Sequence, residues 1–138
     1  MTTTTTQHEK ELAKLPVARF QDVLLARLVV REAALRLGFP AQARTQIATA
    51  VSEITRNVVQ HSGGSGNLGI FELADGGRTG LKIAVEDAGI GIGDVDHVLA
   101  CTAPGAGIPG SRKLMDEFAI RSTAGTGTSV TMVKWLRN

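Results

Sequence analysis

Glu53 and Asn57 stand four residues apart in a stretch whose apolar positions repeat with helical spacing, so a carboxylate and a carboxamide share one helix face, one turn apart. Ala50 and His61 extend the same row. It runs beside the apolar stripe of Ile47, Val51, Ile54 and Val58 rather than opposite it. At the border of a core, such a pair can converge on one polar site. The carboxylate can act as a general base, and the amide oxygen can ligate a hard cation such as Mg²⁺. Taken alone, the pair reads better as a solvated Glu–Asn pair on an amphipathic helix, since such pairs are common.

Asp87 adds a second group. Leu81, Ile83 and Val85 alternate toward one side of a strand and Asp87 continues their phase, while Lys82, Ala84 and Glu86 point the other way. A carboxylate aimed at the apolar side needs donors. A purine amino group with an ordered water would supply them; an Asp that turns outward and caps the loop is the alternative. Gly89 and Gly91 follow at alternate positions, where glycine lets backbone approach a flat ligand or simply makes a turn. Gly105, Gly107 and Gly110 spell G-x-G-x-x-G at the start of a helix, where backbone N–H groups suit a phosphate. The motif is not a Rossmann fingerprint, since no parallel βαβ unit surrounds it, and it lacks the ending of a Walker A loop. Arg112 and Lys113 follow it as cationic contacts or as solvated side chains. Thr128, in phase with Val130 and Met132, presents a hydroxyl to the same side as Asp87 and is otherwise an ordinary strand residue.

The elements that must position these groups follow from periodicity and punctuation. In residues 9–17, Glu11, Ala13 and Leu15 either alternate in an edge strand or extend a helix; the strand, limited by Pro16, is the preferred reading. A helix is predicted over 20–37, with Val23, Leu24, Leu28, Val30, Ala34, Leu35 and Leu37 as a wide apolar stripe, capped by Gly38 and stopped by Pro40. A second helix spans 41–61 and ends in Ser62-Gly63-Gly64-Ser65-Gly66. Strands over 67–73 and 80–87 flank the turn Asp75-Gly76-Gly77-Arg78-Thr79 as a hairpin. A glycine loop follows, then a short helix at 94–100, a second glycine loop over 105–110 and a helix over 111–118. Strands over 119–123 and 128–136 close the chain. Helices and strands so segregated predict an α+β fold: a two-layer sandwich whose mainly antiparallel, mixed sheet is covered on one face by helices.

The 138 residues suffice for one core, so residues 1–8, opening with Thr2 to Thr6, are expected as a disordered tail and 9–138 as one domain. A net charge of +2, mixed in sign, gives no nucleic-acid-binding stripe, and a single cysteine, Cys101, excludes an internal disulfide and cysteine-rich metal sites. No apolar run has membrane-spanning length and no signal-peptide core is present, so a cytoplasmic location away from membranes is expected.

The order of the motifs is more specific than any one of them. Glu53 and Asn57, then D-x-G-x-G from Asp87 to Gly91, then G-x-G-x-x-G from Gly105 to Gly110, then G-x-G-T from Gly125 to Thr128 resemble the N, G1, G2 and final boxes of the GHKL (Bergerat-fold) ATPases and kinases. The resemblance covers residues 20–136. Within that superfamily, Ser52 to Asn57, Asp75 to Leu81, Glu86-Asp87 and Arg112 to Phe118 resemble the anti-sigma regulatory serine/threonine kinases, and among them the RsbT-type stressosome switch kinases most closely.

The resemblance implies ATP and Mg²⁺ as cofactors. It makes Asn57 the Mg²⁺ ligand, Glu53 the general base, Asp87 the acceptor of the adenine amino group with Gly89 and Gly91 in its loop, and Thr128 the completion of the base site. Gly105, Gly107 and Gly110 become the phosphate-holding lid, beside which spacing alone, three residues after Glu53, gives Arg56 the role of orienting that carboxylate or touching phosphate. It also implies a serine/threonine kinase whose substrate is a STAS-domain antagonist and whose downstream partner is a PP2C-type phosphatase. The alternative is an anti-sigma factor that sequesters a sigma factor with ATP as a conformational ligand. Monomer and homodimer are both left open. Two departures stand out. Cys101-Thr102-Ala103-Pro104 precedes the lid glycines where relatives are often longer and richer in glycine, and Ile90 replaces a frequent proline.

Overall fold

The antiparallel hairpin in the middle of the chain forms as its turn chemistry dictates. In the computed structural model, which describes residues 7–61, 66–87, 107–123 and 127–137, β2 (Gly66–Asp75) and β3 (Arg78–Asp87) are joined by Gly76 and Gly77. These two glycines have φ of 60° and 89°, the positive pair that a two-residue hairpin turn requires. The strands are longer than alternation alone predicted, because their register continues to Asp75 opposite Arg78, where the two side chains form an ion pair at 3.3 Å.

The first strand, β1 (Gln7–Val17), lies at the sheet edge against β2, and Pro16 is tolerated there because one side of an edge strand has no ladder to complete. Gln7 and His8, expected in the tail, belong to β1, because β2 extends far enough to pair them with Asp75 and Ala74. Helices α1 (Phe20–Leu37) and α2 (Ala41–His61) follow, joined by Gly38 in the left-handed conformation, whose N–H donates to the Leu35 carbonyl at 3.1 Å. At the start of α1 the Asp22 carboxylate accepts the N–H groups of Ala18 and Arg19, and these donors hold its carboxyl below the usual range. The chain continues through α3 (Gly107–Leu114), β4 (Glu117–Thr123) and β5 (Gly127–Trp135).

The five described strands are ordered β1-β2-β3-β5-β4, and all four pairings between them are antiparallel, so the described sheet is not mixed. Two consecutive helices lie between β1 and β2, and β2 returns antiparallel to β1. The helices cover one face. Val17, Leu68, Ile70, Leu81, Ile83, Val85, Val130 and Met132 from the sheet meet Val30, Ile47, Val51, Ile54 and Val58 from the helices in one core. The other face carries a small cluster of Leu73, Val133 and Trp135. Trp135 lies beneath the Arg78 guanidinium at 3.9 Å and donates its indole N–H to Glu117 at 2.7 Å.

Two predicted features are corrected. On α1 the core-facing residues are Val23, Ala26, Val30 and Ala34, whereas Leu24, Leu28 and Leu35 are 65%, 64% and 52% exposed. Small residues allow α1 and α2 to approach closely, and the larger leucines occupy the adjoining face. The helix predicted over 111–118 instead runs from Gly107 to Leu114. Asp116 pulls the chain out of it: its N–H donates to the Val133 carbonyl at 2.9 Å and its carboxylate accepts the Trp135 N–H at 2.7 Å, so Glu117 and Phe118 join β4. The predicted helix at 94–100 lies outside the described residues, as does the loop from Ala88 to Gly93. No helix among the described residues is long and apolar enough to cross a membrane.

Candidate active site

α2 is the central helix, flanked by α1 and α3 with the sheet beneath, and its burial pattern sets the place of each polar side chain. Ile47, Val51, Ile54 and Val58 are buried, as their spacing predicted, and Ala48, Ala50, Ser52 and Thr55 are buried with them. The Ser52 and Thr55 hydroxyls donate within α2, to the carbonyls of Ala48 at 2.8 Å and Val51 at 2.7 Å. Glu53 and Asn57 are half-buried at the edge of this surface, one turn apart. Glu53 accepts from Arg56 Nη1 at 3.0 Å, with Arg56 itself largely in solvent. Beside them, Arg27 of α1 reaches Ser52 Oγ at 3.3 Å.

At the end of the sheet nearest the C-terminal turn of α2, register brings Asp87 and Thr128 into one transverse row with Gly66. Gly66 stands opposite Asp87 across β2 and β3, and Asp87 stands opposite Thr128 across β3 and β5. Residues directly opposed in antiparallel strands have Cβ atoms about 4.5–5.5 Å apart, so the Asp87 carboxylate and Thr128 hydroxyl are close neighbours. Both are half-buried, and both continue the helix-facing phase of the buried Val85 and Val130.

Gly66 was legible only as part of a flexible stop, yet it is where helix and sheet meet. A Cβ there would stand 2.7 Å from the Glu86 carbonyl oxygen, 2.9 Å from Val58 Cγ1 and 3.4 Å from Asp87 Cβ. Its neighbours are thus the residue after Asn57 and Asp87 itself. Gly66→Ala is expected to destabilise the fold by about 1–3 kcal/mol, because the Glu86 backbone cannot yield as a flexible side chain would. Urea unfolding measures this, and an unchanged midpoint would mean the contact relaxes freely.

α3 completes the surroundings. Gly107 is its first residue and Gly110 lies in its first turn, with Pro109 placed where a missing N–H costs little. The second and third glycines of the motif are therefore helical rather than part of a preceding loop. Apart from the backbone of its own helix and its chain neighbours, no atom of the described residues lies within 4 Å of the position a Gly110 Cβ would take. Gly89, Gly91 and Gly105 lie outside the described residues. A groove of about 590 Å³ lies elsewhere, between α1 and the β1–β2 edge, and none of the predicted site residues lines it.

Residues 17–134 match the histidine kinase-like ATPase domain family. The chain belongs to that family. Over 121 residues it is 43% identical to the serine/threonine-protein kinase RsbT of Bacillus subtilis (strain 168), covering 84% of this chain and 90% of the relative. It is 34% identical over 125 residues to an anti-sigma F factor of Pasteuria penetrans, with 81% of each chain covered. An anti-sigma F factor of Thermoanaerobacter sp. (strain X514) is 32% identical over 130 residues, which is 87% of this chain and 90% of the relative. Among solved structures, the histidine kinase domain of the Erythrobacter litoralis EL346 blue-light activated kinase superposes with a TM-score of 0.55 at 22% identity. That match takes in 83% of this chain and 59% of that one, and it carries the histidine-kinase-like ATPase fold.

Proposed function

We propose that this chain is an ATP-dependent protein serine/threonine kinase that phosphorylates a STAS-domain antagonist in a bacterial partner-switching pathway. Once released from the antagonist, it binds a PP2C-type phosphatase. The observation that supports the reading is the junction at Gly66, where Val58, the residue after Asn57 on α2, meets the strand end that carries Asp87 opposite Thr128. Identity to a relative named as a serine/threonine-protein kinase supports the reaction class.

The donor chemistry suits Mg²⁺ that arrives with nucleotide. Among the described residues no three His, Cys, Asp or Glu side chains gather as a resident metal cage. One carboxamide oxygen is the kind of sparse set that a hydrated Mg²⁺ uses when phosphates supply the remaining ligands. When bound, the ion would neutralise developing charge on the phosphates.

Asn57 then holds the ion through its amide oxygen. Asp87 accepts from the adenine amino group, and Thr128, directly opposite, contributes its hydroxyl to the base site. Gly110, with open space beside it, and the first N–H groups of α3 leave backbone free to approach phosphate. Glu53 takes the proton from the attacking hydroxyl, and Arg56 holds the Glu53 carboxylate in place through their 3.0 Å contact. Gly89, Gly91 and Gly105 extend the same assignments to the flanking loops. Phosphoryl transfer asks mainly for positioning and charge neutralisation, so this set is chemically sufficient.

A second reading, an anti-sigma factor that sequesters a sigma factor, draws on the relatives named as anti-sigma F factors. One assay separates the two: γ-labelled ATP with Mg²⁺ is offered to purified STAS-domain proteins. Label on a serine or threonine of one of them is expected. Absence of label, with tight ATP binding and direct capture of a purified sigma factor, would move the assignment to the second reading.

A further inference from the structure

Among the described residues three buried hydroxyls lie in or against α2, and one of them donates to it from another element. Ser52 and Thr55 donate to carbonyls of their own helix, whereas Ser111, on α3 and fully buried, donates to the Ala50 carbonyl of α2 at 3.1 Å. Ala50 lies one turn before Glu53, on the row that Glu53 and Asn57 continue. Its carbonyl already takes part in the helical ladder and receives the Ser111 hydroxyl on its second lone pair, so α2 does not depend on this bond. What depends on it is where α3 sits.

The C-terminal end of α3 is tied separately, to the sheet. The Leu114 carbonyl accepts Lys134 Nζ at 2.7 Å, and Asp116 binds the β5 backbone and the Arg137 guanidinium at 2.7 Å. A helix held only at that end can still swing. The Ser111 tie, three residues back and on a different element, restricts that freedom. Gly107 lies four residues further on, about 6 Å along the axis, so a small tilt at Ser111 becomes a displacement of the first turn of α3. Misplacement by about 1 Å is enough to cost a positioned group much of its effect.

We propose that Ser111 is a positioning residue: its hydroxyl sets the first turn of α3, with Gly107 and Gly110, at a fixed place relative to Glu53 and Asn57. The proposal rests on the ATP-binding reading above. Without the hydroxyl, phosphate contacts should weaken while contacts to the base, which come from Asp87 and Thr128 on the sheet, should not.

The test compares equilibrium binding of Mg²⁺-ATP and of adenosine, which carries the base and no phosphate, to the wild type, Ser111→Ala and Ser111→Cys. Thermal unfolding is followed alongside. Ser111→Ala is expected to lose about three- to tenfold in ATP affinity, the range one hydrogen bond supports, with adenosine affinity unchanged. Ser111→Cys, of similar size with a weak donor, is expected to fall between, and it keeps the test decisive if the alanine variant does not fold. Unchanged ATP affinity would overturn the proposal. So would parallel loss of ATP and adenosine, which is what a merely structural role produces. A wild-type protein that binds neither ligand would bring down the ATP reading itself, and this proposal with it.

Discussion

Glu53→Gln is expected to lower phosphoryl transfer by about 10²- to 10⁴-fold, the range attributed to a positioned general base, while Mg²⁺-ATP still binds. Glutamine keeps the volume and one oxygen of the side chain and removes the proton acceptor. The substitution also ends the ion pair with Arg56, but Arg56 is 44% exposed, and a pair so open to water contributes little to stability. Fold and nucleotide affinity should therefore survive. Single-turnover transfer set against an equilibrium ATP titration separates the two effects. If binding and transfer are lost together, Glu53 shapes the site rather than accepting a proton.

Asn57→Ala should act one step earlier. Removing the amide oxygen leaves Mg²⁺ without its protein ligand, so transfer is expected to fall by about 10²-fold or more. The decisive comparison is ATP affinity with Mg²⁺ against affinity in a chelator. The wild type should show a difference that the variant has lost. Asn57 is half-buried and Val58 beside it remains in the core, so the variant should fold. Transfer at the wild-type rate would remove Asn57 from the metal role. Both substitutions act on one face of α2 and on one reaction, so their effects should not add when combined.

The parts of this protein that local chemistry dictates were legible residue by residue. Gly38 ends α1 because only glycine readily takes its left-handed conformation, and Gly76-Gly77 makes a two-residue hairpin for the same reason. The stripe of Ile47, Val51, Ile54 and Val58 marked the buried side of α2, and with it the border position of Glu53 and Asn57. The phase of Leu81, Ile83 and Val85 carried through to Asp87, because strand alternation does not depend on what packs above it.

Where two readings were locally equivalent, tertiary contacts chose. α1 carries more apolar residues than one face can bury. The leucines marked a wider stripe than the core uses, and close packing against α2 selected Ala26 and Ala34 in place of Leu24, Leu28 and Leu35. The segment around Asp116 reads as helix until β5 offers it hydrogen bonds. The sequence by itself therefore determined which residue types can do the chemistry and on which element faces they stand, since capping, turns and periodicity act over a few residues. Only the tertiary structure decided that Asp87 faces Thr128, that Gly66 joins them to α2, and that Ser111 ties α3 to Ala50. Strand register and helix docking are set by contacts between residues far apart in the chain, 61 positions for Ser111 and Ala50 and 73 for Lys82 and Glu9, which no local spacing encodes.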